Sequence, residues 1–407
     1  MAPLLHCGIQ TGRRLSVSLF QDITMPSLGD TTAMLARLRR TSFPTSDATG
    51  RLNRIDDFGA NPGQLTMLGY RPEGLAPGSP LVVVLHGCTQ TAAAYAEGAG
   101  WLDLADRMGF MVVAPQQPQA NNAGRCFNWF LPGDIRRGEG EAASIAAMVA
   151  HAVETHDLDR SRVFVTGLSA GGAMTAVMLA VYPDLFAGGA VIAGLPYGVA
   201  SNVQGAMQVM NHPAGRSGAN LAALVPVSSD GGSRPRLSIW HGDADGTVQV
   251  KNGHDLAQQW AALNGLPSAP HRVEPLPHGT RSIWRSADGE PFVELNIVRG
   301  LGHGTPLSTK RADDVGRAGP FMLEAGISSS LEIARFWNID GGERVEPGAL
   351  AMIPATPQRE GAAKHAVDPE PVEASGLGQG VMHAIGHVPA GVQEVIAKAL
   401  RAAGLLK

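Results

Sequence analysis

Residues 162–172 read Arg-Val-Phe-Val-Thr-Gly-Leu-Ser-Ala-Gly-Gly. An apolar, β-branched run enters G-x-S-x-G and continues as a helix-like stretch of small residues. G-x-S-x-G alone arises by chance. Preceded by a strand and followed by a helix, it demands a sharp turn with the helix packed back against the strand it left. Gly167 and Gly171 suit that close approach because a larger side chain would clash there. Ser169 is then expected at the tip of the turn, with its hydroxyl exposed at the end of a sheet.

The rest of the chain repeats the pattern of buried strand and helix. Leu81–Leu85, Phe110–Pro115, Gly188–Ala193 and Leu237–Trp240 are short apolar runs, as expected for parallel strands covered on both faces. Leu65–Tyr70 reads as a further strand, and Phe292–Val298 as the second strand of a hairpin-like region. Helices are predicted over Ala92–Met108, Gly140–Thr155, Ala170–Val181, Val203–Met210, Gly253–Leu263 and Ser329–Trp337; the second carries Ile145, Met148, Val149 and Val153 on one stripe. This alternation predicts an α/β fold with a mostly parallel central sheet flanked by helices. In such sheets the chemistry gathers at the carboxyl ends of the strands.

The catalytic domain is expected over 55–340, with 196–234, rich in Gly, Ser, Asn and Pro, as an insertion or lid beside the site. Residues 1–54 form an extension with a short amphipathic helix around Met34, Leu35 and Leu38. Residues 341–388, rich in Pro, Ala, Glu and Gly, read as a linker, and 389–407 as a terminal amphipathic helix. Met1 to Thr24 has Arg13 and Arg14 but no sustained apolar segment, so it does not read as a signal peptide; Met25 offers a second plausible start.

A net charge of −4 over 407 residues, without a dense Lys/Arg cluster, gives no electrostatic case for a nucleic-acid partner. No apolar run reaches the length of a membrane-spanning helix. The histidines lack ligand spacing, no Gly-rich stretch fits a dinucleotide or phosphate, and neither metal nor cofactor is expected. Oligomeric state is not legible.

A serine hydroxyl is a weak nucleophile at neutral pH; it needs an adjacent base, itself oriented by a third group. His303, between Gly302 and Gly304 just after a predicted strand, is the candidate base. The acid lies in His241-Gly242-Asp243-Ala244-Asp245, where the spacing to Val248 selects Asp245 and leaves Asp243 a supporting role. The order Ser…Asp…His is that of α/β hydrolases. His86 and His241, each before a glycine at a strand end, read as structural. Two backbone N–H groups should hold the oxyanion: that of Ala170 and one from Cys88 or Thr89, with Cys88 preferred. The chain has 3 cysteines, too few for a disulfide scaffold. A Cys88–Cys126 bridge would tie the aromatic loop 116–137 to the oxyanion loop; two unpaired thiols is the other reading.

With these stretches in hand the sequence resembles the polyhydroxybutyrate depolymerase-type esterases of the α/β-hydrolase superfamily. Phe58–Gly63, Leu85–Gln90, Arg125–Phe130, Gly167–Gly172, His241–Asp245 and Gly302–His303 carry the resemblance, which spans about residues 55 to 340. It implies a cofactor-free serine esterase with Ser169, Asp245 and His303 as its triad, and favours Asn128 and Trp129 near the acyl pocket. The implied substrates are poly- or oligo-3-hydroxybutyrate esters, or feruloyl and acetyl esters of plant polysaccharides. A catalytically silent scaffold is the third reading, against which the intact triad residues weigh. The resemblance suggests an extracellular or periplasmic setting, against which the unconvincing signal peptide stands. No polymer-binding module is legible, which favours soluble oligomers or amorphous material.

Overall fold

A computed structural model describes residues 50–213, 215–227, 234–311 and 314–340. The expected helices near Met34 and over 389–407, and the linker 341–388, lie outside them. The strands are β1 (Asn53–Ile55), β2 (Thr66–Tyr70), β3 (Leu81–Leu85), β4 (Met111–Gln116), β5 (Val163–Leu168), β6 (Gly188–Ile192), β7 (Arg236–Gly242), β8 (Arg272–Leu276), β9 (Gly279–Arg285), β10 (Pro291–Val298), β11 (Thr305–Leu307) and β12 (Met322–Glu324). The helices are α1 (Ala92–Gly98), α2 (Trp101–Met108), α3 (Gly140–Thr155), α4 (Ala170–Val181), α5 (Val203–Asn211), α6 (Gly218–Ala222), α7 (Lys251–Leu263) and α8 (Ser329–Phe336).

One ten-stranded sheet runs β1-β2-β4-β3-β5-β6-β7-β10-β9-β8. From β4 to β10 every neighbour is parallel, and antiparallel strands finish both edges. The continuous apolar runs feed two cores by alternation. Leu81, Val83, Leu85, Val163 and Val165 face α3, α4 and α7 through Met148, Met174 and Trp260. Val82, Val84, Phe164 and Leu168 face α1, α2 and α8 through Tyr95, Leu102 and Ile333. Burial on both faces is why the central strands show no polar alternation.

Three features differ from expectation, and a fourth bears on the 196–234 segment. The predicted helix over 92–108 is two helices, because Gly100 takes a left-handed φ of 81°, and a Cβ there would lie 2.8 Å from Gly316 N. The hairpin-like region is a three-stranded meander, β8-β9-β10, whose last strand joins the sheet in parallel with β7. The sheet also begins earlier than residue 55, since Asn53 and Arg54 pair with Gly69 and Leu68. Within 196–234, α5 and α6 are tied to α7: Asn252 Nδ2 donates to the Val209 carbonyl at 3.1 Å, and Gln259 Nε2 to the Leu221 carbonyl at 2.9 Å.

The strand that leads to Ser169 is braced from behind by aromatic stacking. Phe164 stacks on Trp337 at 4.8 Å, and Trp337 on Trp101 at 5.7 Å between ring centroids. Trp337 is only 2% exposed, so Trp337→Ala should cost about 3–5 kcal/mol of unfolding free energy in urea titrations. A loss below about 1 kcal/mol would mean that the stack does not brace this strand.

Candidate active site

At the end of β5 the chain turns at Ser169 with φ 57° and ψ −116°, a region that non-glycine residues seldom enter. The turn persists because its surroundings leave no alternative. A Cβ on Gly171 would lie 2.2 Å from the Leu85 carbonyl oxygen, and one on Gly167 would lie 2.4 Å from Gly171 C. Ser169 N donates to the Ile192 carbonyl at 2.9 Å, fixing the elbow to β6. Ser169 thus stands at the carboxyl edge of the sheet, 9% exposed.

Asp245 follows β7 and His303 follows β10, the next strand over. His303 Nδ1 lies 2.7 Å from Asp245 Oδ2. The other carboxylate oxygen, Oδ1, accepts from the backbone N–H groups of Thr247 at 2.8 Å and Val248 at 2.9 Å. Burial opposes the charge, yet the bonds from His241, His303 and Val248 prevail and hold the carboxyl well below the usual range. An ionised carboxylate only accepts, so His303 carries its proton on Nδ1 and leaves Nε2 free as a base. Asp243 sits elsewhere: its Oδ1 accepts from Gly300 N at 2.6 Å, bracing the loop that presents His303. The structure therefore joins Asp245 and His303 directly. Ser169 Oγ makes no hydrogen bond among the described residues.

The loop after β3, expected from the sequence to hold an oxyanion, is fixed by its own bonds. Thr89 has φ 65° and spends its N–H on the Gly124 carbonyl at 2.7 Å. Gly87 N donates to Gln90 Oε1 at 2.8 Å. Cys88 N–H is left without a partner among the described residues. Cys88 and Cys126, 38 residues apart in sequence, form a disulfide with Cα atoms 4.3 Å apart. Closing a loop of that length stabilises the fold by about 4 kcal/mol on chain-entropy grounds.

Asn128 and Trp129 are both largely buried, and Trp129 meets Phe130 edge-on at 5.4 Å. The Asn128 amide is already engaged: Nδ2 donates to Glu141 Oε1 at 2.8 Å, and Oδ1 accepts from Asn122 at 3.0 Å. Glu141 is the residue that sequence reasoning missed. Its carboxyl also accepts from Asn128 N at 2.8 Å and from Gln117 Nε2. Gln117 in turn donates through Nε2 to the Cys126 carbonyl and through its backbone N to His86 Nε2, both at 3.1 Å. A single buried carboxyl thus anchors the aromatic loop, and Gln117 carries the connection to the histidine beside the oxyanion loop. The signal was present, since Glu141 continues the apolar stripe of Ile145, Met148 and Val149 at helical spacing. Among the described residues no group of three or more His, Cys, Asp or Glu side chains is arranged to hold a metal.

Residues 65–272 match the family model described as Esterase PHB depolymerase. Over 300 residues the chain is 43% identical to poly(3-hydroxyalkanoate) depolymerase C of Paucimonas lemoignei, covering 73% of this chain and 72% of that one. The chain belongs to this family. It is a carboxylic ester hydrolase with the α/β-hydrolase fold. It is also 34% identical over 268 residues to acetylxylan esterase A of Aspergillus oryzae, covering 62% of this chain and 84% of the relative. Among solved structures it resembles acetyl xylan esterase from Aspergillus awamori, with a TM-score of 0.61 and 28% identity over 71% of this chain and all of that one.

Burial pushes the Glu141 carboxyl up to about 8, despite the amide donors around it. A folded-state pKa above the unfolded value of 4.5 means that the native protein holds this proton more tightly. Its contribution to stability is complete below about pH 4.5 and is lost as pH rises towards about 8. Glu141→Gln, a neutral isostere, should flatten the decline in unfolding free energy across that window; parallel curves for variant and wild type would contradict it.

Proposed function

We propose that Ser169, His303 and Asp245 form the catalytic triad of this esterase, and that its substrates are poly- or oligo-3-hydroxybutyrate type esters. The observation that carries the chemistry is the 2.7 Å bond from His303 to Asp245, made on the strand edge that also bears the Ser169 elbow. His303 Nε2 takes the Ser169 proton as Oγ bonds to the ester carbonyl carbon. The carbonyl oxygen becomes an oxyanion, held by the N–H groups of Cys88 and Ala170. Collapse breaks the bond to the alcohol oxygen, which leaves with the proton from His303. Water then gives a proton to His303 and attacks the acyl-serine, and the acid departs as Ser169 regains its hydrogen. Asp245 stays ionised throughout and stabilises the imidazolium.

Asn128 and Trp129 belong to the acyl pocket on this reading, Asn128 by holding the loop in place and Trp129 by supplying apolar wall. The substrate class is supported by the 43% identity to a poly(3-hydroxyalkanoate) depolymerase. Acetyl or feruloyl esters of plant polysaccharides are the second reading, favoured by the 34% identity to an acetylxylan esterase. The Cys88–Cys126 disulfide supports work in an oxidising compartment.

Ser169→Ala should lower hydrolysis of p-nitrophenyl butyrate by roughly a millionfold, as loss of a triad nucleophile does, and abolish fluorophosphonate labelling. Retained activity would remove Ser169 from the mechanism. Parallel rates on hydroxybutyrate oligomers, acetylated xylan and methyl ferulate decide among the substrates: the ester with the highest kcat/KM wins.

A further inference from the structure

His241 lies one turn before Asp245 and is 1% exposed. Its Nε2 is 2.8 Å from the Val248 carbonyl oxygen and 3.4 Å from Asp245 Oδ2. Both are acceptors, so the ring proton must sit on Nε2. That tautomer leaves Nδ1 bare, and Nδ1 is indeed buried without a partner. The ring is seated by α7, where a Cβ on Gly253 would come within 2.9 Å of Nδ1. Asp245 Oδ2 therefore faces two imidazoles: His303 at 2.7 Å and His241 behind it at 3.4 Å.

From this geometry we infer that His241 is a positioning residue of the catalytic site, whose Nε2–H holds Asp245 Oδ2 in place and tunes the strength with which Asp245 acts on His303. The inference rests on the triad reading above. The physical case is one of shared charge. A second donor on Oδ2 draws electron density away from the His303 contact, so Asp245 stabilises the His303 imidazolium less than a carboxylate serving one imidazole would. The same donor spans Asp245 and the Val248 carbonyl, closing the turn that gives Asp245 its two backbone donors. Without it, one lone pair of a buried carboxylate loses its partner, and the charge of Asp245 bears undivided on His303. His303 touches the reacting atoms in this scheme; His241 acts only through Asp245. The other titratable groups near His241 are on α7: His254, with Lys251 and Asp255 beyond it.

The test compares His241→Gln, His241→Asn and His241→Leu in the full-length protein, reading kcat, KM and the pH profile of kcat/KM on p-nitrophenyl butyrate. A glutamine places an amide N–H where Nε2–H stands; an asparagine is too short to do so, and leucine has none. We expect Gln to stay within about threefold of wild type, with its acid limb unmoved. Asn and Leu should lose about tenfold in kcat, the worth of one hydrogen bond to a charged group. Their KM should be unchanged and their acid limb should move to higher pH by about half a unit or more. Equal losses in all three variants, a wild-type Leu variant, or a fall in kcat with an unmoved acid limb would each overturn the inference. Should Asn and Leu not fold, Gly253→Ala displaces the ring while keeping its chemistry. A displaced acid limb in that variant supports the inference, and a wild-type profile overturns it. Fluorophosphonate labelling of Ser169 in the wild type keeps the two claims apart: absence of labelling sinks the triad itself, whereas labelling with an inert His241 sinks only this inference.

Discussion

Everything at the carboxyl edge of the sheet depends on how closely α4 lies against β3. The backbone of Gly171 approaches the Leu85 carbonyl so nearly that no side chain fits between them. That approach fixes two things together. It forces Ser169 into its left-handed turn, and it brings the first N–H of α4 beside the loop that leaves β3. On the proposed reading, nucleophile and oxyanion donors are therefore set by one backbone contact instead of by separate side chains. Strain of this kind costs about 1–3 kcal/mol and persists because the two cores on either face hold the strands.

Around this contact the site is held by bonded networks of buried polar groups. Asp245 accepts from two backbone N–H groups on one oxygen and from His303 on the other, with the His241 ring 3.4 Å behind. Glu141 fastens the aromatic loop, and Gln117 links that loop to the His86 ring. In a low-dielectric interior such networks are costly when incomplete and rigid when satisfied. The rigidity serves catalysis, since acyl transfer rests on donors aimed in advance at developing charge.

Much of this was legible in the sequence because strong local signals coincide with the sites. The apolar runs into Gly167, into His241 and into Arg299 mark strand ends, and the elbow motif supplied its own geometry. The preference for Asp245 over Asp243 rested on spacing to Val248, and the structure gives that spacing a cause: the Val248 N–H binds the Asp245 carboxylate. What escaped was non-local. The strands β8 and β9 are largely polar and half-exposed, so no periodicity announced them. A three-residue strand such as β1 or β11 is defined only by its neighbour. The sequence offered Cys88 and Thr89 as donors with Cys88 preferred; the Gly124 carbonyl, 35 residues from Thr89, takes the Thr89 N–H. His241 read as a turn residue because its proximity to Asp245 arises only after the turn folds.

The Cys88–Cys126 bond encloses a stretch of chain that contains α1, α2 and β4. On the proposed reading, one end of that ring carries an oxyanion donor and the other the aromatic wall of the acyl pocket. Side chains can therefore be exchanged along the aromatic loop, and the shape of the acyl pocket changed, while the covalent link keeps the loop registered to the oxyanion turn. Such a scaffold separates the part that selects an ester from the part that breaks it, and lets the first diverge while the second stays still.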